Sequence, residues 1–244
     1  MRIIATIEAR MTSTRLPGKV LLPALGRPML GHLFRRLGAV PALDGIVLAT
    51  TVNPSDDVLV AFAEERGVAC FRGSEADVMS RVIGAAESMS ADVVVEVTGD
   101  CPIIDPEIVE QIVQTFLVND ADYVGNSHVR TYPAGMDTQV FRLDALRRSA
   151  ELTQEPLDRE HVTLHIRNHP ELFRPLHCVA PPAMHWPTLG LTLDEERDYA
   201  LLRTVIETFG ADRPLFGCGD VVSLLRARPE LVALNAAVVR KGDS

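Results

Sequence analysis

The sequence has no long apolar run, no paired cysteines, no excess of positive charge and no glycine-rich phosphate fingerprint, and each absence removes a class of protein. Nothing approaches the roughly eighteen consecutive apolar residues of a membrane span. The apolar run at the N-terminus gives way to charge after a few residues, too soon for the hydrophobic region of a signal peptide. The expectation is a soluble, cytoplasmic protein with no membrane partner. The four cysteines, Cys70, Cys101, Cys178 and Cys218, lie far apart without C-x-x-C spacing, so neither a zinc knuckle nor a disulfide framework is implied and reduced thiols are expected. A net charge of −9 argues against a nucleic-acid binder, whose surface normally carries a basic stripe. No internal repeat, low-complexity tract or linker interrupts the chain.

What is present is an ordinary globular composition, 47% hydrophobic and 23% charged over 244 residues, enough to bury a full core. Against the global sign stands a local cluster: Arg10, Arg15 and Lys19 fall within ten residues, separated by small, hydroxylated and turn-forming residues. They follow the β-branched run Ile3–Ile7, read as a buried parallel strand. In an open α/β sheet, ligands bind outside the carboxyl ends of the strands, and a basic loop there suits a polyanion such as a triphosphate.

Further elements follow at short intervals. A helix opens at Gly26-Arg27-Pro28, with Leu30, Leu33, Phe34 and Leu37 at helical spacing. Strands are expected at Gly45–Thr50, Gly67–Phe71, Val93–Val97, Ala121–Val124, Thr138–Phe141, Leu172–Val179 and Leu189–Leu193. Helices are expected through Val58–Ala63, Asp77–Met89, Pro106–Val118, Leu143–Leu152, from Asp158 to near Pro170, from Asp194 to about Phe209, and from Gly219 onward. Strands alternating with helices predict an α/β fold with a doubly wound, mostly parallel sheet and right-handed crossovers. The whole chain, 1–244, reads as one domain with an inserted lobe or arm at about 126–190.

Two common phosphate sites are excluded. A P-loop requires G-x-x-x-x-G-K-[ST], but Gly18-Lys19 is followed by Val20, and Ser13 stands where the first glycine belongs. No G-x-G-x-x-G follows the first strand either. The loop must therefore use side chains, with guanidinium forks gripping phosphate oxygens and Lys19 adding a point charge. Asp100, in Thr98-Gly99-Asp100 at the end of another predicted central strand, is the second candidate, since a carboxylate beside a triphosphate is suited to Mg²⁺. Asp194, after Leu191-Thr192-Leu193, either completes that site or serves as a helix N-cap.

These residues carry a resemblance. Glu8 to Leu21, with Gly26-Arg27-Pro28-Met29-Leu30, resembles the N-terminal signature of the cytidylyltransferase family, which includes CMP-Kdo and CMP-sialic acid synthetases. The spore-coat-polysaccharide-biosynthesis-protein-F-like branch is the most similar. The likeness continues through Phe71–Val78, Thr98–Pro106, Tyr132–Asp137 and Asp158–Thr163. It implies a Rossmann-like fold of the nucleotide-diphospho-sugar transferase type, dimeric in many relatives, that activates a sugar with CTP and releases pyrophosphate. By the same resemblance Arg10, Arg15 and Lys19 are catalytic cations on the triphosphate. Ala9, Ser13, Arg72, Ser74, Asp77, Thr98 and Gly99 join them around the nucleotide. Asp100 and Asp194 match the magnesium carboxylates. Tyr132, Asp137, Gln139, Arg159 and His161 face the acceptor. Three positions depart from the family pattern: Glu8 stands where relatives usually have Gln, Arg27 for Lys, and Gln139 where many carry Glu. Glu8 could join a metal site, pair with Arg10 or Lys19, or point away.

The remaining features have plainer readings. His161, His165 and His169 recur every four residues on one predicted helix, and packing is favoured over a metal stripe. Cys101 lacks an activating base and is read as a packing residue. Trp186, among prolines, suits a rigid surface loop. The alternatives to a CTP:sugar cytidylyltransferase are a nucleotidyltransferase for another nucleotide or a phosphorylated non-sugar acceptor, and a non-catalytic nucleotide-binding regulator on the same fold.

Overall fold

The structure is a computed structural model and describes residues 1–240. In chain order it comprises β1 (Ile3–Glu8), β2 (Pro23–Ala24), β3 (Arg27–Pro28), α1 (Met29–Leu37), β4 (Gly45–Thr51), α2 (Asp57–Glu65), β5 (Ala69–Gly73), α3 (Val78–Ser88) and β6 (Val93–Thr98). Then follow α4 (Pro106–Val118), β7 (Tyr123–Gly125), β8 (Gln139–Arg142), α5 (Leu143–Leu152), α6 (Pro156–Glu160), α7 (Leu164–Asn168), β9 (Pro175–His177), α8 (Glu196–Phe209), α9 (Cys218–Ala227) and α10 (Pro229–Val232).

Seven strands form one sheet in the order β5-β4-β1-β6-β8-β7-β9. The β-branched runs of β1, β4 and β6 pair in parallel at its centre, because helices cover both faces and leave no side for polar alternation. β8 enters antiparallel between β6 and β7, and β9 pairs in parallel with β7 at the edge. Strands β8 and β9 of the 126–190 stretch are thus part of the central sheet. One face buries Ile3, Ala5 and Ile7 against Leu30, Leu33 and Leu37 of α1, Ile108 and Ile112 of α4, and Leu201 and Val205 of α8. The other buries Ile4, Val47 and Val94 against Met79 and Val82 of α3, Leu146 of α5 and Ile166 of α7. Each fully buried Leu or Ile contributes about 1.5–3 kcal/mol relative to exposure.

The chain leaves β5 at one edge and re-enters as β6 on the far side of β1. The topological switch therefore falls at the carboxyl ends of β1 and β6, where an open α/β sheet leaves a crevice. Among the described residues no helix is long and apolar enough to cross a membrane.

Several sequence expectations are corrected. Residues 23–28 form a hairpin whose turn, Leu25-Gly26, has φ of 47° and 68°, so Pro28 precedes α1 as its N-cap instead of lying in its first turn. The third strand lies two residues later than expected. The helix expected from Asp158 breaks where Val162 takes a φ of 43°, giving α6 and α7. His161 ends the first piece, and His165 and His169 belong to the second. Among the described residues the run Leu189–Leu193 makes one bridge, Gly190 to Ala134; its leucines are buried for packing rather than paired in a ladder. The strand expected over Leu172–Val179 is confined to β9. Asp194 does not start α8, whose cap is Glu195 with Asp198 closing a capping box.

Candidate active site

Two strand-end loops are pressed together at the switch point. The amide of Gly99 donates to the carbonyl of Glu8 (2.9 Å), and a Cβ at position 99 would stand 2.8 Å from that oxygen and 2.9 Å from the Ala9 Cβ. Only glycine permits this approach. The loop after β1 closes on itself through Gly18 N–H to Met11 O (2.9 Å). Gly18, at φ 69°, turns the chain into the 3₁₀ turn Lys19–Leu21, which aims Lys19 back at the β6 end. Buried Asp56 fastens the loop from outside, accepting from Met11 N (2.7 Å) and from the Thr51 hydroxyl.

Lys19 Nζ lies 3.1 Å from Asp194 Oδ1 and 3.5 Å from Asp100 Oδ2. Arg15 Nη2 lies 2.7 Å from the same Asp194 oxygen. Thr98 Oγ1 donates to Asp100 Oδ1 (2.6 Å), and Thr192 Oγ1 to Asp194 Oδ2 (3.0 Å). Asp100 O receives the amide of Leu193 (2.8 Å), which docks the 190–195 segment beside β6 and brings the second carboxylate in. Burial would raise the Asp194 carboxyl, but Lys19, Arg15 and Thr192 together hold it below its ordinary value. Two carboxylates from separate segments thus converge on one cation, here the Lys19 ammonium.

Arg10 belongs to a more open group. Its Nη1 pairs with Glu75 Oε1 (2.8 Å), and Thr12 and Asn53 donate to the same carboxylate at 2.9 and 2.6 Å. Ala9 is buried at the loop's root and Ser13 is partly exposed within it. The other sequence candidates separate. Arg72 donates to the carbonyls of Thr51 (2.9 Å) and Asn53 (2.8 Å) and pairs with Asp57 (2.7 Å), tying β5 to the turn after β4. Ser74 accepts from the Asp77 amide (3.0 Å), while Asp77 caps α3 and pairs with Arg159. That ion pair joins α6 to the start of α3.

On the acceptor side, Tyr132 is only 2% exposed within the apolar core. Asp137 pairs with Arg130, though burial raises its carboxyl. His161 is exposed. Gln139 lies opposite Glu96 across β6–β8 and is held from every side. Its Nε2 donates to Glu96 (2.9 Å), and its Oε1 accepts from Tyr123 (2.9 Å), Ser127 (3.3 Å) and Thr163 (2.6 Å). Glu8 follows the last of its three expected alternatives. Both carboxylate oxygens are buried without a hydrogen-bond partner among the described residues, and burial, with Glu96 nearby, raises it well above the ordinary range. Cys101 is buried, and that burial pushes its thiol up, which suits packing. Trp186 lies half-buried, its amide on Thr131 O (3.0 Å) and Arg226 over its ring.

Sequence reasoning missed Asp56, Glu75, Thr192, Asp198 and Arg240. Nothing local marks the partners of Asp56 and Glu75, which are Met11, 45 positions away, and Arg10, 65 positions away.

The family model of the cytidylyltransferases matches residues 4–217. The chain belongs to the cytidylyltransferase family. It is 33% identical to the spore coat polysaccharide biosynthesis protein SpsF of Bacillus subtilis, over 99% of each chain. A cytidylyltransferase structure from Leptospira borgpetersenii superposes with a TM-score of 0.90 at 32% identity, covering 95% of this chain and 97% of that one. The structure of CMP:2-keto-3-deoxy-manno-octonic acid synthetase complexed with CTP matches with a TM-score of 0.64 at 20% identity, covering 85% and 99%, which shows the shared fold. This cytidylyltransferase is therefore a CTP-dependent nucleotidyltransferase on an α/β sheet, in the branch that includes SpsF-like proteins.

Proposed function

We propose that the chain transfers CMP from CTP to an acidic or modified sugar used in surface polysaccharide or glycoconjugate synthesis, with release of pyrophosphate and with Mg²⁺ as cofactor. The observation that carries this reading is the convergence of Lys19, Arg15, Asp100 and Asp194 at the topological switch. The relationship to a polysaccharide-biosynthesis protein over the full length supports the sugar.

The donor set fits magnesium. Two carboxylates already share a cation, and Mg²⁺ is usually held by one or two carboxylates with substrate phosphates and water completing its shell. Among the described residues no cluster of three or more His, Cys, Asp or Glu could hold a metal ion by itself, so nucleotide phosphates and water would have to complete the shell. When bound, the ion would offset charge on the phosphates and polarise the α-phosphoryl group. Asp100 and Asp194 would hold the ion, and Lys19, which pairs with both carboxylates, would then be free to meet phosphate oxygens. Arg10 and Arg15 supply fork-shaped donors to the remaining ones, and together the three stabilise charge building on the leaving pyrophosphate. An acceptor hydroxyl attacks the α-phosphorus in line: the new O–P bond forms as the bond to the pyrophosphate oxygen breaks, and the hydroxyl proton passes to solvent water.

We also propose that the chain forms a homodimer, with the contact at the β9 edge of the sheet, where Leu176 and Val179 are exposed. Light scattering of the purified chain tests it; a monomer at micromolar concentration would refute it. The enzymatic reading is tested by pyrophosphate release with Mg²⁺, screening the four nucleoside triphosphates against sugars and sugar phosphates. CTP-selective turnover with a sugar is expected. No turnover with any nucleotide, together with no thermal stabilisation by CTP and Mg²⁺, would overturn it.

A further inference from the structure

Asp194 stands on a segment with almost no ladder of its own, so its orientation must be fixed from elsewhere. Asp198, fully buried on the first turn of α8, accepts through Oδ2 from the amides of Asp194 (3.1 Å) and Glu195 (2.9 Å). Its other oxygen accepts from Asn235 Nδ2 (2.7 Å) and Arg240 Nη2 (2.9 Å). Arg240 Nε donates to Thr192 Oγ1 (3.2 Å), the same hydroxyl that donates to Asp194. The guanidinium fills the space beside Gly190, where any Cβ would come within 1.7 Å of Arg240 Cζ. The preceding residue, Val239, gives its carbonyl to Arg15 Nη1 (3.0 Å). Residues 235–240 therefore touch the supports of the carboxylate and also the cation that faces it.

We propose, building on the metal–nucleotide reading above, that Arg240 is a positioning residue for Asp194, acting through Thr192 and Asp198, so that residues 235–240 are part of the active site. The guanidinium is suited to this task. Its planar fork reaches two acceptors at a fixed angle, which a lysine point charge does not. Its side chain is only 13% exposed, so solvent screens the pair with Asp198 little. Groups that hydrogen-bond to metal ligands fix ligand orientation, and their loss typically costs about 10–100-fold in metal affinity or activity. Gly190 extends the same logic: its missing side chain is the space the guanidinium occupies.

The test uses the full chain with Mg²⁺ and CTP, reading the half-saturating Mg²⁺ concentration in pyrophosphate release, the calorimetric affinity for CTP with Mg²⁺, and Tm. Arg240→Ala and Gly190→Ala should each raise half-saturating Mg²⁺ and weaken the CTP complex by about tenfold or more. Because Arg240→Ala leaves the Asp198 carboxylate short of a cation, that variant is at risk of unfolding. Arg240→Lys and Thr192→Val keep the proposal falsifiable. Arg240→Lys should recover Tm while leaving metal dependence impaired. Thr192→Val should shift metal dependence with little change in Tm, and adding it to Arg240→Lys should have less than an additive effect, because both act on one chain of contacts. Wild-type Mg²⁺ dependence and CTP affinity in Arg240→Lys and Thr192→Val, with an active parent, would overturn the proposal and leave the function standing. A wild-type protein that neither binds CTP with Mg²⁺ nor turns over would instead refute the function, and this inference with it.

Discussion

Two groups of carboxylates sit near the carboxyl ends of the central strands, and they are treated in opposite ways. In the first, Asp194 has Lys19 at 3.1 Å, Arg15 at 2.7 Å and a threonine hydroxyl at 3.0 Å, and these partners hold it below its ordinary pKa against burial. In the second, on the face covered by α3 and α7, Glu8 has no hydrogen-bond partner among the described residues. Burial raises Glu8 well above its usual range and brings Glu96 to about 7. Arg81 and Arg167 oppose these shifts without cancelling them. Placement thus separates a carboxylate held low beside a cation from carboxylates driven toward the neutral form. The same residue type carries charge into the site or withdraws it, according to who its neighbours are.

The sharpest way to break this contrast is to remove the shared cation. Lys19→Ala should lower kcat by about 10²–10³-fold, as loss of one charge-stabilising donor does, and Asp100→Ala should abolish turnover; circular dichroism should show both folded. Wild-type rates in either would move the active site elsewhere.

Arg10 provides a milder test. Its pair with Glu75 is exposed on both sides, 42% and 38%, so it is worth about 0–1 kcal/mol and is easily exchanged for a phosphate. Arg10→Ala should therefore weaken CTP binding by about tenfold through one lost charged hydrogen bond, with thermal stability nearly unchanged. A drop in Tm as large as that of a core substitution would show the arginine to be structural.

The second group is probed by pH. A carboxyl with a folded pKa above its unfolded one carries no penalty below about 4.5; the penalty grows as pH rises through the folded value, so stability falls over that window. For Glu96 this window runs from about 4.5 to about 7. Glu96→Gln should flatten the decline in Tm between pH 5 and 8. Glu8→Gln, the smallest expected effect, should leave activity within about twofold, less than one lost hydrogen bond would cost. Its gain in Tm over wild type should increase with pH. A gain that shrinks with rising pH would mean that Glu8 is ionised and paired in solution.

How much of this was legible in the sequence follows from what a local pattern encodes. The β-branched runs of β1, β4 and β6 announced a buried parallel sheet, and the basic loop and Thr98-Gly99-Asp100 announced strand-end chemistry. Asp194 was visible as a strand-end carboxylate but not distinguishable from an N-cap; Glu195 and Asp198 take the capping role and free it. The apolar run 189–193 looked like a strand because periodicity records burial and says nothing about a hydrogen-bonding partner. Pairings such as Arg159 with Asp77, or Gln139 with Glu96, link residues tens of positions apart and leave no local mark. Gln139, expected at the acceptor, makes four part-buried hydrogen bonds that no local pattern announces. Arg240 lay beyond every motif.

The amide of Leu193 rests on the carbonyl of Asp100, and that single bond has a temporal consequence. Nearly the entire sheet can form from the residues up to 177, all of them upstream of that contact. The contact itself forms only when the segment after β9 folds back on the end of β6, and it is rewarded when α8 docks on the sheet. The catalytic centre is therefore complete only once residues 190–194 have docked on a sheet whose strands all precede them in the chain. During synthesis the growing chain acquires a sheet well before it has anywhere to bind a nucleotide, and on refolding, activity should return later than secondary structure.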